Sequence, residues 1–150
     1  RREALLRELQ SELTTQSEVV VADLNDPEAR ERILAKALPD EKLSKRIGEG
    51  GELVCGPDDL TPFTGWARAF GEEGELLMLG HFLEGRRDGP LHACRTNGQK
   101  LSESQYKQGK AHGLFTEWAG SGRKAWGGRY EEGKMTGLWN FLVRDGSGIV

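Results

Sequence analysis

The side chains most able to do chemistry in this 150-residue chain are three histidines (His81, His92, His112), two cysteines (Cys55, Cys94) and three adjacent carboxylate pairs (Asp58-Asp59, Glu72-Glu73, Glu131-Glu132). Imidazoles and thiolates at short spacing would hold zinc, and paired carboxylates would share a proton or a calcium ion. Neither pattern is complete. The histidines have no HxxxH spacing and no Cys/His cluster around them, so they read as isolated, partly exposed imidazoles. Each carboxylate pair lies in turn-like sequence beside glycine, where acidic residues are common and solvated. No nucleophile has a matched base at a recognisable spacing. The residue types specify no catalytic, metal or cofactor site, and a non-enzyme is expected.

The elements that would carry these residues are set by a 24-residue period. Gly65, Gly89, Gly113 and Gly137 recur at that spacing, as do Gly74, Gly98, Gly122 and Gly146, and then Gly85, Gly109 and Gly133. Phe82, Tyr106 and Tyr130 keep the same period. The histidines fall at three different offsets within it, so the repeat builds no ladder of ligands. A fixed period of this length marks a repeat architecture. Each unit reads as two strands and two turns, with units at 65–88, 89–112, 113–136 and a partial unit at 137–150. Asn97-Gly98 is expected to be a two-residue hairpin turn requiring positive φ, and Gln108-Gly109-Lys110 a turn into the next unit. The fold expected is mainly β with an N-terminal α segment. It is an elongated, single-layer antiparallel meander of about eight strands, with helices capping its N-terminal end.

Alternation places Met78, Ser102 and Trp126, then Gly80, Ser104 and Gly128, then Phe82, Tyr106 and Tyr130 on one side of this sheet. The small residues are expected to leave room for a bulky neighbour such as Trp118 or Phe70. His81, Gln105 and Arg129 fall on the other side, which reads as solvated. The aromatic set (Phe70, Phe82, Tyr106, Phe115, Trp118, Trp126, Tyr130, Trp139, Phe141) reads first as sheet core and second as an exposed binding strip.

Before the array, residues 3–13 have the leucine spacing of an amphipathic helix, and Val19–Val21 is a short β-branched run. Asp26-Pro27-Glu28 is a helix start: Asp26 caps, Pro27 suits the first turn and Glu28 favours the positive end of the dipole. This helix should run to about Leu38, bury Ile33, Leu34 and Leu38, and stop at Pro39. A short helix from Asp40 to about Arg46 is expected next, making 1–47 the helical segment. Gly48, Gly50 and Gly51 mark a boundary, and 48–64 holds an entry strand at Glu52–Cys55 and a loop. Counting ladder steps puts Cys55 and Cys94 roughly 14 Å apart at about 4.8 Å per strand, too far for a disulfide.

The units, as in Gly-Leu-Phe-Thr-Glu-Trp and Arg-Tyr-Glu-Glu-Gly-Lys-Met-Thr-Gly, resemble the bacterial variant of the MORN repeat. Pro62-Phe63-Thr64-Gly65 is similar to the sequence that opens the array in YwqK-like proteins, a family described as antitoxins. The resemblance covers 53–150 and implies a scaffold or binding surface, antitoxin-like in one setting and lipid-binding in others. Pro90, His92 and Cys94 depart from the Trp/Tyr-rich strand of related units, and the acidic N-terminus lies outside the pattern.

Charge narrows the partners. Residues 1–60 carry nine Lys/Arg against fourteen Asp/Glu, and 61–150 carry twelve against ten. Neither half has the basic density that phosphate-backbone binding needs, which argues against nucleic acid. A protein partner is expected at the sheet face opposite the helices or at the open edge near 137–143. The alternative is a phospholipid surface met by Lys107, Lys110, Arg123, Lys124, Arg129 and Lys134. The chain opens on Arg1 rather than Met, which points to processing or trimming that would place any export signal or anchor upstream.

Overall fold

A computed structural model describes residues 24–58 and 61–141. The leucine-spaced segment at 3–13, the Val19–Val21 run and Gly146 lie outside the described residues. The chain divides into two compact units, 1–36 and 37–150.

In the first unit, helix α1 spans Pro27–Lys36. Its start is the expected one: Asp26 Oδ1 accepts the Glu28 amide at 3.1 Å, and the Asp26 carbonyl accepts Arg30 N–H at 3.0 Å. Ala29 and Ile33 are buried, whereas Leu34 is only partly so. The helix stops two residues before Leu38, which the second unit recruits as a strand.

The regular elements among the described residues of the second unit are β-strands, apart from a 3-10 turn at Asp40–Lys42. Its strands are β1 (Leu38–Pro39), β2 (Ser44–Gly48), β3 (Gly51–Cys55), β4 (Gly65–Phe70), β5 (Leu76–Leu83), β6 (Arg86–Cys94), β7 (Lys100–Lys107), β8 (Lys110–Ala111), β9 (Gly113–Trp118), β10 (Lys124–Glu131) and β11 (Lys134–Phe141). The large open sheet runs β1-β4-β5-β6-β7-β9-β10-β11, with β8 continuing the pairing on β7. From β4 onward it is the antiparallel meander read from the period. At its first edge β1 pairs parallel with β4, Leu38 with Ala67 and Pro39 with Arg68. Pro39 suits this edge because it offers no N–H to leave unpaired.

The helix expected at Asp40–Arg46 does not form. After the 3-10 turn Leu43 is extended, and Ser44–Gly48 pairs with Gly51–Cys55 as a hairpin closed at Gly48-Glu49-Gly50-Gly51. The glycine turn and the cross-strand pairing outweigh the weak helical signal of a short charged segment. Within the expected helical segment 1–47, residues 38–47 therefore form no α-helix. The hairpin is a separate two-stranded sheet, joined to the array's entry by a bridge between Cys55 and Pro62. Cys55 thus lies off the ladder on which its distance to Cys94 was reckoned. Both cysteines stand as thiols, Cys55 buried and Cys94 partly so.

The turn at Gln108-Gly109 forms where expected, whereas the one at Asn97-Gly98 is of another type. At Asn97-Gly98 the loop has three residues: Gly98 N–H bonds to the Arg95 carbonyl at 2.9 Å, Arg95 N–H bonds to that of Gln99 at 2.7 Å, and only Gly98 has positive φ. The same pair of bonds closes the loops at Gly71–Glu75 and Ala119–Arg123. Asn97 instead uses its side-chain oxygen to accept the Gln99 amide. The two-residue turns with both φ positive are Glu84-Gly85, Gln108-Gly109 and Glu132-Gly133, with φ of 49° to 50° at the first residue and 80° to 82° at the glycine.

Each of these turns is fixed to the unit before it. Gly85, Gly109 and Gly133 donate their amides to the carbonyls of Phe63, Arg87 and Ala111, each at 2.8 Å. The amides of Glu84, Gln108 and Glu132 meet side-chain acceptors at the same offset: Thr64 Oγ1 at 2.9 Å, Asp88 Oδ2 at 3.1 Å and His112 Nδ1 at 3.5 Å. Opposite the return strands, a bulge recurs around Gly89, Gly113 and Gly137. Pro90, lacking an N–H, falls inside it.

Candidate binding surface

Cross-strand pairing defines the two faces. The row Ala69–Met78–Ala93–Ser102–Glu117–Trp126–Phe141 crosses every strand from β4 to β11 except the short β8, and Phe82, Tyr106 and Tyr130 lie on the same face. The register read from alternation is therefore the one formed. The residues filling the glycine gaps differ from expectation. Leu91 lies over Gly80 and Trp139 over Gly128, each too close for a Cβ at the glycine. Trp118 and Phe70 stand on the opposite face, where Lys100 Nζ lies 4.9 Å from the Trp118 ring centre and Arg68 covers Phe70. A direct cross-strand neighbour reaches a glycine gap, and a hairpin-end residue of the other parity does not.

On the aromatic face, coverage changes along the array. At the first unit Phe82 packs with Phe63 (ring centres 6.0 Å apart) and Ala67, beneath Leu38, Leu43 and Val54. At the last units Phe115, Trp126, Tyr130, Trp139 and Phe141 form one aromatic cluster, with Trp126 and Phe141 stacked at 5.9 Å and Tyr130 edge-on to Trp139 at 5.0 Å. These rings are partly exposed, and Phe141 is openly so. Tyr106 sits between the two regions, with the Arg87 guanidinium 5.5 Å from its ring centre.

The opposite face shows the same gradient. Trp66, Leu79 and His81 are buried, while Leu114 is 64% and Leu138 91% exposed. His81 is thus not solvated as expected. Its ring meets Trp66 edge-on at 5.3 Å, and Nδ1 lies 2.8 Å from the Asp88 carbonyl. That carbonyl can only accept, so Nδ1 carries the proton of the neutral ring. Desolvation by burial lowers the His81 pKa below its ordinary 6.5, and the hydrogen bond to Asp88 and the Asp88 charge oppose this in part. Alternation placed His81 on the correct face but could not reveal that Trp66 covers it. A groove of about 750 Å³ at the far end of the array is lined by Leu114, Arg123, Lys124, Arg129 and Leu138 together with Phe115, Trp126 and Phe141.

The chemistry-bearing residues are spread through the structure. His92 Nε2 is 3.5 Å from Glu103, which Lys100 also bonds. His112 faces Glu132 at 3.7 Å, beside the Lys110–Glu132 pair at 3.3 Å. Asp58 closes its turn by accepting both the amide and the hydroxyl of Thr61. Among the described residues no three His, Cys, Asp or Glu side chains converge as metal ligands. Sequence reasoning missed one set, the acceptors Thr64, Asp88 and His112. Their common 24-residue offset was available as a signal, but their different residue types concealed it. No family model, curated protein or solved structure matches this chain.

Proposed function

We propose that the array is a non-catalytic protein-binding surface of the MORN-variant type, antitoxin-like in its mode of action, with the aromatic face of its later units as the contact. The observation that carries this reading is the change in coverage: Phe82 is buried, whereas Tyr106, Tyr130, Trp126, Trp139 and Phe141 are not. Clustered, partly exposed aromatic rings are the side chains that dominate protein interfaces. A photo-crosslinking residue at Phe141, used in native extract, should capture a discrete heterologous protein, and the same residue at Glu72 should not. Recovery of this chain alone would count against the reading.

A specific observation favours a second reading, a peripheral phospholipid-binding module. Leu114 and Leu138 stand exposed on the opposite face beside Arg123, Lys124 and Arg129. Apolar side chains ringed by cations suit an anionic membrane surface. Flotation with phosphatidylserine vesicles at low salt tests it, and a chain left at the bottom of the gradient ends it.

A further inference from the structure

The first unit of the array is covered by the chain's own β2–β3 segment, and three groups hold that cover in place. The Gly85 carbonyl accepts the Val54 amide at 2.8 Å. The Arg86 guanidinium donates to the carbonyls of Glu49 and Gly50 at 2.7 and 3.2 Å. Phe82 provides the apolar floor under Val54 and beside Phe63. Two of these three contacts are made to backbone atoms, so this seat recognises an extended polypeptide rather than a particular side chain.

The period writes the same three groups twice more, as Gly109, Lys110 and Tyr106, and as Gly133, Lys134 and Tyr130. The equivalence is geometric as well as sequential. The three glycines share their φ values and make the same amide bond to the preceding unit. A Cβ built on Gly109 would lie 3.8 Å from Arg86 Cβ, and one on Gly133 would lie 4.0 Å from Lys110 Cβ. Among the described residues no backbone amide outside the strand ladders donates to the carbonyl of Gly109 or Gly133. A groove of about 740 Å³ beside the hairpin runs from the first seat, at Phe82, Gly85 and Arg86, to the second, at Tyr106, Gly109 and Lys110.

We propose that the second and third units are further copies of the hairpin's seat, and that they take an extended, glycine-turned segment of a partner polypeptide. Its amides meet the Gly109 and Gly133 carbonyls, its turn carbonyls meet Lys110 and Lys134, and its apolar side chains lie on Tyr106 and Tyr130. This rests on the protein-binding reading and specifies the kind of partner. Directional backbone contacts favour a polypeptide over a lipid, whose tails offer no matching amides.

The test is a titration of the isotope-labelled full chain with a synthetic peptide of residues Ser44–Phe63 carrying Cys55→Ser, followed by amide NMR. Saturable shifts are expected at Tyr106, Gly109, Lys110, Gly133 and Lys134, with Val54 and Gly85 unmoved. The double variant K110M and K134M removes two exposed ammonium groups and should bind several-fold more weakly. Its otherwise unchanged spectrum would show that the fold is intact. Equal shifts with a scrambled peptide, shifts confined to Val54 and Gly85, or no shifts would each overturn the proposal. Self-association of the chain that moves the same amides would assign the seat to a second copy and also overturn it. A heterologous crosslink at Phe141 without peptide shifts would remove this seat and leave the protein-binding reading standing.

Discussion

The indole of Trp139 lies across the backbone of Gly128, so close that a Cβ there would stand 2.4 Å from Trp139 Cδ2 and 2.7 Å from Cγ. The ring is fixed by Trp139 Nε1–H donating to the Thr136 carbonyl at 3.2 Å and by its contacts with Phe115 and Tyr130. Gly128→Ala therefore has to push a rigid, hydrogen-bonded ring or bend β10. We expect a loss of about 1–3 kcal/mol, the usual cost of overpacking. Urea unfolding followed by tryptophan fluorescence measures it, and an unchanged midpoint would disprove the packing argument.

Gln108 holds a φ of 50° next to Gly109 at 82°. A glutamine pays a steric cost in this region that asparagine largely avoids, and Asn-Gly is the preferred pair for such a turn. Gln108→Asn should raise stability by about 0.5–1 kcal/mol, because the bond to the Asp88 carboxylate is donated by the backbone amide of residue 108 and survives. The check is the shift in urea midpoint at constant slope. A destabilised variant would mean that the side chain of Gln108 has a role beyond the turn.

Asp88 accepts the Gln108 amide through Oδ2, at the offset where Thr64 and His112 serve the neighbouring turns. Removing the acceptor by Asp88→Ala should cost about 0.5–1.5 kcal/mol. Asp88→Asn, which keeps a side-chain oxygen, should recover most of it. If both substitutions cost the same, charge rather than hydrogen bonding is what the position supplies.

His81 gives a pH dependence with a definite sign. Its folded pKa lies below the ordinary 6.5 because burial disfavours the imidazolium. Below that ordinary value the unfolded chain takes up a proton that the folded chain refuses, so stability is complete above it and declines as pH falls through it. The decline ends once the pH drops below the folded pKa. His81→Gln can keep a donor toward the Asp88 carbonyl and cannot titrate. The difference in unfolding free energy between wild type and variant should therefore shrink or change sign from pH 8 to about pH 5. A pH-independent difference would mean that His81 titrates alike in both states.

The array was legible because its period is set by local backbone demands. Positive φ at Gly85, Gly109 and Gly133 needs the same residue type wherever it recurs. The β2–β3 hairpin was not legible, since Lys45 and Arg46 read as helix and their strand exists through pairing with Val54 and Leu53. The burial of His81 depends on a ring fifteen positions earlier, which alternation along one strand cannot register. The candidate surface was half visible: its aromatic residues were named from the sequence, but which of them the hairpin covers is a tertiary fact.

Of the groups that hold that cover, the Arg86 side chain can be removed without altering the backbone bond beside it. Arg86 reaches two carbonyls at the hairpin tip, and the Val54 amide bonds to Gly85 one residue away. Charged hydrogen bonds of this kind contribute about 1.5–3 kcal/mol, discounted here because the group is partly exposed. Arg86→Ala should therefore speed hydrogen exchange of the Val54 amide roughly tenfold, equivalent to about 1.4 kcal/mol of local opening. Amides of β10 should be unaffected, because they belong to the ladder and not to the cover. If exchange rose equally in both places, the hairpin and the sheet would open as one unit, and β2–β3 would be part of the array's core.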